Sequence, residues 1–273
     1  NNTALGYAAG SAINSGAKNV TIGAQAGDAL TTGSSNVAVG MRALTTEDTG
    51  SKNTAVGFEV LQNLNFDGDG WNVAVGYEAG KVVTTGIKNT SIGARTMQAT
   101  TVGQENVALG YQAMYTNVDG SKCVAIGANA LLTQDPASAV DMYNVAVGYN
   151  AGYAMTTGIN NTLIGSLAGD ALTTGSGSVA LGYNALGSTT TAIENVAIGI
   201  NALVANVDGA KNVAVGSYAL TALDPASATD MYNVAVGHQA GTAMTTGNEN
   251  TIIGGLAGDA LTTGSNNIAM GHT

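Results

Sequence analysis

Short apolar runs recur along the chain in one fixed order: a polar anchor, a β-branched residue, a small residue, an aliphatic residue, then glycine. Asn-Val-Ala-Val-Gly at 72–76 is typical. The anchor is Asn at 2, 19, 36, 53, 72, 89, 106, 144, 161, 195, 212, 233, 250 and 267, and Cys123 and Ser178 hold the same place. These anchors mark sixteen units; twelve of the fifteen spacings are 17 residues, one is 19 and two are 21. Counting the anchor as slot 1, slot 2 is always Val, Thr or Ile, slot 4 is always aliphatic and slot 5 is always glycine. Slot 3 is alanine in twelve units and Thr21, Ser91, Leu163 and Ile252 in the others; slot 8 is nearly always alanine. A period of 17 is too short for a helix pair and matches one coil of a β-solenoid. The β-branched slots predict one short strand per coil. The invariant glycine predicts a sharp turn at positive φ. A second glycine, in the recurrent Thr-Thr-Gly, serves the return corner. Stacked Asn side chains are expected to form a ladder, each amide donating to the next.

A longer period lies over the short one. Residues 106–176 return at 195–265, an offset of 89. The two 21-residue spacings carry Asp-Pro-Ala-Ser-Ala-Val-Asp-Met-Tyr (135–143) and Asp-Pro-Ala-Ser-Ala-Thr-Asp-Met-Tyr (224–232), which hold both prolines of the protein. They read as side loops. The whole chain, 1–273, reads as one all-β repeat array of about sixteen coils.

Side chains alternate across a strand, so slots 2 and 4 share one face and slot 3 takes the other. With slots 2 and 4 inside, slot 3 forms an outward column: Ala38, Ala55, Ala74, Ala108, Ala125, Ala146, Ala180, Ala197, Ala214 and Ala235. Strands apolar on both faces are normally covered on both, and alanine admits a second backbone closely. The column is therefore expected to meet copies of itself, with three-fold closure favoured. The alternative is a monomeric solenoid with both alanine columns in its core.

Composition narrows the function classes. The formal charge is −10, the isoelectric point about 4.3, and only 10% of residues are charged. An acidic surface argues against nucleic acid and anionic lipid as partners. The single cysteine leaves no internal disulfide framework. No apolar run approaches the ~18 residues of a membrane helix. The chain opens in repeat register and stops within a repeat, so it reads as a piece of a longer array.

Units such as Asn-Val-Ala-Val-Gly-Tyr-Glu-Ala-Gly (72–80), Asn-Val-Ala-Ile-Gly-Ile-Asn-Ala-Leu (195–203) and Asn-Thr-Ala-Val-Gly-Phe (53–58) resemble the head repeats of YadA-like trimeric autotransporter adhesins and similar arrays in phage tail fibres. The resemblance spans essentially the whole chain. It implies a homotrimeric, left-handed parallel β-roll at a cell surface or on a virion, displaying surfaces for a glycan or protein receptor. Residue by residue, it implies a core role for Val73 and Val75, the turn at Gly76, and packing of Ala74 against a neighbouring subunit. The chain departs from the adhesin pattern in its longer period, and its 273 residues contain neither a coiled-coil stalk nor an anchor barrel.

Candidate chemistry is sparse. His238 replaces the tyrosine of slot 6 and His272 lies near the last residue; neither has a visible catalytic partner, and no reaction, metal or cofactor is expected. Asp67 and Asp69 in Asn-Phe-Asp-Gly-Asp-Gly-Trp resemble part of a calcium loop but lack its bidentate Glu, so an Asp-Gly turn is the simpler reading. The Thr-Thr-Gly column raises ice binding as an alternative function. A polysaccharide-cleaving tailspike is a remoter one and needs paired carboxylates in a groove. For ligand recognition the candidates are Tyr143 and Tyr232 with Asp135 and Asp224 on the side loops. The slot 6 tyrosines (Tyr7, Tyr77, Tyr111, Tyr149, Tyr183) are more simply corner covers.

Overall fold

The computed structural model of the chain describes residues 1–225 and 227–273. The fold is a parallel β-solenoid of about sixteen turns without a helix among the described residues. It divides into two compact units, Asn1–Asp141 and Met142–Thr273, so the boundary falls within the first side loop. In the first unit the coil strands are Thr3–Leu5, Val20–Ile22, Val37–Val39, Thr54–Val56, Val73–Val75, Thr90–Ile92, Val107–Leu109 and Val124–Ile126. In the second they are Val145–Val147, Thr162–Ile164, Val179–Leu181, Val196–Ile198, Val213–Val215, Val234–Val236, Thr251–Ile253 and Ile268–Met270. Within each unit every strand pairs in parallel with the next, slot against slot: Val37, Ala38 and Val39 face Thr54, Ala55 and Val56. Each side loop adds a two-residue strand beside the preceding coil, Val140–Asp141 against Gly120–Ser121 and Thr229–Asp230 against Gly209–Ala210.

Two columns hold the coils in register. The Asn ladder forms, with a different pattern from the amide-to-amide chain expected. The carbonyl of Asn19 accepts the backbone N–H of Asn36 at 2.9 Å, and its amide donates to the carbonyl of Gly33 at 2.8 Å. Most of the anchor asparagines thus tie the next coil's anchor to their own return corner, while Asn53 and Asn212 donate instead to the carbonyls of Ser51 and Ala210. Amide-to-amide bonds are added only in places, as from Asn250 to Asn233 at 3.1 Å. The reason is supply: anchor N–H and corner carbonyl are otherwise unpaired buried groups. Ser178 keeps the acceptor role toward Asn195, at a longer 3.3 Å.

The slot 5 glycines adopt φ between about 126° and 144°, as the turn requires. They also stack closely: a Cβ on Gly110 would lie 2.7 Å from both the carbonyl carbon and oxygen of Gly127. The glycine after Thr-Thr has a different cause, because Gly33, Gly86 and Gly158 are not at positive φ. A Cβ there would strike the carbonyl of the next corner glycine.

The face assignment made from sequence is reversed. Ala38, Ala55, Ala74, Ala108, Ala125, Ala146, Ala180, Ala197, Ala214 and Ala235 are all fully buried inside the single chain, so they are not an interface between subunits. Slots 2 and 4 point outward, and none of them is buried in any coil. Val73 and Val75 are therefore outside and Ala74 inside, the opposite of what the resemblance implies. The physical reason is interior width. A 17-residue coil brings its strand and return limbs so close that only a methyl group fits at most slot 3 positions.

Core volume is instead supplied by slots 9 and 12, which compensate one another. Where slot 9 is glycine, slot 12 is a large apolar residue: Gly27 with Leu30, Gly80 with Val83, Gly152 with Met155, Gly241 with Met244. A Cβ on Gly27 would lie 2.8 Å from Leu30 Cδ1, so the leucine occupies the space the glycine vacates. Where slot 9 is Leu or Met, slot 12 is most often polar: Leu44 with Glu47, Met97 with Thr100, Met114 with Asn117, Leu131 with Gln134. The polar partner then caps the corner; Asn117 accepts from the Gly120 N–H at 3.0 Å and donates to its carbonyl at 2.9 Å. The larger slot 3 residues obey the same constraint, since Thr21, Leu163 and Ile252 share coils with Gly27, Gly169 and Gly258. Close packing of this kind leaves no room for independent changes in volume.

Glu47 is the extreme case, a fully buried carboxyl in this core column. Its oxygens accept from the N–H groups of Gly50 at 2.6 Å and Phe66 at 3.3 Å. Burial pushes its pKa above the ordinary carboxylate value, outweighing those two hydrogen bonds. A raised folded-state pKa means the native state holds the proton more tightly than the unfolded chain. The associated stability is fully present below the unfolded value near 4.5 and is lost as pH rises through the folded one. Glu47→Gln, which places the residue of Gln134 in the same slot, is expected to remove this dependence. Urea unfolding from pH 4 to 8 checks it: the advantage of the variant over wild type should grow with pH, and parallel curves would refute the assignment.

Candidate functional site

Two surfaces hold the side chains that could engage a partner. The first is the outward strand face of each unit. In the second unit it presents Ile164, Leu181, Val236 and Ile253, with Tyr149, Tyr183 and Ile200 of slot 6 beside them, all exposed. In the first unit Val73, Ile92 and Leu109 stand with Tyr77 and Tyr111 in the same way. Aliphatic columns repeated on every coil are the type of apolar patch that marks an interaction surface. Aromatic rings also pack here: Phe58 and Tyr77 of slot 6 are stacked at 5.3 Å, and Tyr218 of slot 7 is edge-on to His238 of slot 6 at 6.3 Å. Tyr77 further meets the Arg95 guanidinium at 5.9 Å. Arg95 belongs to an ion ladder, Arg42–Glu59–Lys81–Glu78–Arg95, that crosses successive coils with separations of 2.6 to 3.3 Å.

The second surface is the side loops. Tyr143 and Tyr232 are each about half exposed. Asp135 and Asp224 are exposed, yet each lies 3.3 Å from a backbone N–H of the coil before, that of Val118 or Val207. These two carboxylates fasten the loops to the body. Pro136 and Pro225 are buried beneath the loops, and Pro225 lies over Gly209, where a Cβ would come within 3.1 Å of its ring.

The second loop holds a charged cluster that sequence reasoning missed. Lys211 lies 2.7 Å from Asp230, and the Tyr232 hydroxyl donates to the same carboxylate oxygen at 3.1 Å. The Lys211 ammonium also lies 5.3 Å from the Tyr232 ring centre. Hydrogen bonding to Asp230, then to Tyr232, holds the ammonium above the ordinary lysine range, and the Lys211 bond holds the Asp230 carboxyl below its usual value. Lys211 precedes the anchor by one residue and Asp230 lies on the added strand, so only the pairing of Thr229–Asp230 with Gly209–Ala210 unites them. The first loop pairs Lys122 with Asp141 at 2.6 Å in the same way. The recurrence of Lys one residue before the anchor and Asp two residues before the loop tyrosine was the available signal.

Other candidates have structural work. The first hydroxyl of Thr-Thr-Gly donates to a carbonyl of the next coil, Thr31 to Asp48 at 3.1 Å and Thr173 to Thr190 at 3.0 Å. Those threonines bond the stack instead of presenting a free hydroxyl array. Asp67 accepts from the Thr49 hydroxyl and Asp69 pairs with Lys52 at 2.6 Å, while Lys52 lies 4.3 Å from the Trp71 ring centre. Cys123 is buried, with the Gln134 amide 3.2 Å from its sulfur. His238 and His272 are exposed. Among the described residues no group of three or more His, Cys, Asp or Glu side chains is placed to hold a metal ion. No helix among them is long and apolar enough to cross a membrane.

Comparison with models of protein families, with curated proteins and with solved structures returned no match.

Proposed function

We propose that the chain is a segment of a structural fibre or adhesin on a cell surface or virion, a trimeric shaft that displays recognition surfaces. The observation that carries this reading is the outward aliphatic face of slots 2 and 4. Each coil turns two β-branched or aliphatic side chains to the outside, and such a face is covered most economically by the same face of further copies. A closed assembly with three-fold symmetry buries it from every chain equally. The role moves from the alanine column, which is inside, to the Val, Ile, Leu and Thr columns. The uniform stack of similar coils suits a spacer, since each coil is stabilised chiefly by its neighbours.

Sedimentation at micromolar concentration tests the assembly. Wild type is expected to sediment as three chains, and Ile164→Lys with Leu181→Lys to shift it toward single chains while far-UV dichroism stays unchanged. A wild-type species of 26.9 kDa would overturn the fibre reading.

A further inference from the structure

Beside the second side loop lies an open notch of about 540 Å³, lined by Thr191, Ala192, Ile193, Asp208, Ala210, Ala228, Thr229 and Asp230. Its size is within the range of small-ligand sites, roughly 300–1,000 Å³. Its lining mixes an apolar surface with convergent polar groups. Thr191 donates to Asp208 at 2.7 Å, which orients both side chains. Asp230 is held by Lys211 and Tyr232 on one oxygen. A carboxylate offers about four acceptor sites, so both aspartates retain capacity toward a ligand.

We propose that this notch binds a neutral saccharide. The chemistry selects that class against its rivals. Two carboxylates disfavour an anion. Lys211 already neutralises Asp230, which removes much of the attraction for a cation. A sugar brings several hydroxyl donors for Asp208, Asp230 and the Thr191 oxygen, whose own proton is held by Asp208, an acceptor for the hydroxyl of Thr229, and a C–H face for Ile193, which is 39% exposed. Tyr232, half exposed beside Asp230, offers an amphipathic ring at the edge.

The chain contains its own control. At the same offset of 89 the first loop places Val102 where the second has Thr191, Val140 where it has Thr229, and Asp119 and Asp141 where it has Asp208 and Asp230. Val102 and Val140 are each about 40% exposed. The first loop therefore keeps the carboxylates and lacks both hydroxyls, and the fold accepts valine at both places.

The proposal rests on the recognition role proposed above and names its ligand class. The test uses the full chain on an array of immobilised neutral, sialylated and amino-sugar oligosaccharides, with affinities then taken by calorimetry for any neutral sugar bound. The variants are Thr191→Val with Thr229→Val, and Asp208→Asn. Wild type is expected to bind a neutral sugar, and each variant to lose at least tenfold in affinity with an unchanged melting temperature. No binding, binding only to sialylated or amino sugars, or neutral-sugar binding untouched by the double valine variant would overturn the proposal. Sedimentation of the same samples separates the two readings: a trimer that binds no sugar sinks only the site, and a sugar-binding single chain sinks only the fibre.

Discussion

Gly182→Ala is expected to destabilise the second unit by at least about 3 kcal/mol, and more than any substitution on its outer surface. Two independent costs meet at this residue. Its φ of +136° is a conformation that L side chains rarely adopt. In addition, a Cβ would lie 2.7 Å from the Gly199 carbonyl oxygen and 2.8 Å from its carbon. The obstacle is backbone, so no rotamer change relieves it. The whole coil would have to lift from its neighbour, which would stretch the ladder bonds as well. Gly255→Ala supplies the comparison, because that glycine occupies slot 6, has no positive φ, and its added methyl would meet only His272 at 3.8 Å. Ala24, Ala94 and Ala128 already occupy slot 6 elsewhere. Urea unfolding followed by far-UV dichroism should place Gly255→Ala within about 0.5 kcal/mol of wild type. Equal midpoints for the two variants would contradict the stacking argument.

Asn36→Ala is expected to cost about 2–6 kcal/mol, from two buried groups at roughly 1–3 kcal/mol each. Asn36 is fully buried. Its side chain accepts from the Asn53 N–H at 2.9 Å and donates to the Gly50 carbonyl at 2.8 Å. Alanine removes the side-chain partner of both buried backbone groups. Asn36→Ser should be milder, as Ser178 shows that a hydroxyl can still accept from the next anchor, at 3.3 Å. Asn36→Asp should be worse than Ser, because it turns a second oxygen toward the Gly50 carbonyl and loses the donor. The order Asp and Ala below Ser below wild type in urea midpoint is the check, and a neutral alanine variant would remove the ladder from the list of stabilising elements.

Much of the fold can be read from the repeat itself. The period of 17, the glycine at slot 5 and the buried Asn at slot 1 each express a backbone requirement, and backbone requirements recur on every coil. The inner and outer faces could not be assigned from residue type, because the larger side chains of Val73 and Val75 lie outside and the smaller Ala74 inside. Size decides which face fits a narrow coil, and hydrophobicity alone predicts the reverse. The clue was the reciprocal relation of slots 9 and 12, with Leu163 and Ile252 admitted only beside Gly169 and Gly258. At the side loops, Tyr143 and Tyr232 were legible as exposed aromatics. The fastening role of Asp135 and Asp224 was not, since it depends on which coil the loop folds back upon. The notch at Thr191 and Asp208 draws on two coils and a loop, and only the strand pairing brings them together.

The compensation between slots 9 and 12 has a consequence for how such arrays can be shuffled. A crossover between two genes that falls after slot 9 and before slot 12 would join, for instance, the Gly27 half of one coil to the Glu47 half of another, leaving a void with a carboxyl beside it. The reverse product would put Leu44 and Leu30 together in a 17-residue coil, a pairing the chain carries only in two of its longer coils, as Leu61 with Leu64 and Leu220 with Leu223. Breakpoints at the anchor asparagines keep each matched pair intact, so whole coils, and not parts of them, are the units that recombination or engineering can exchange.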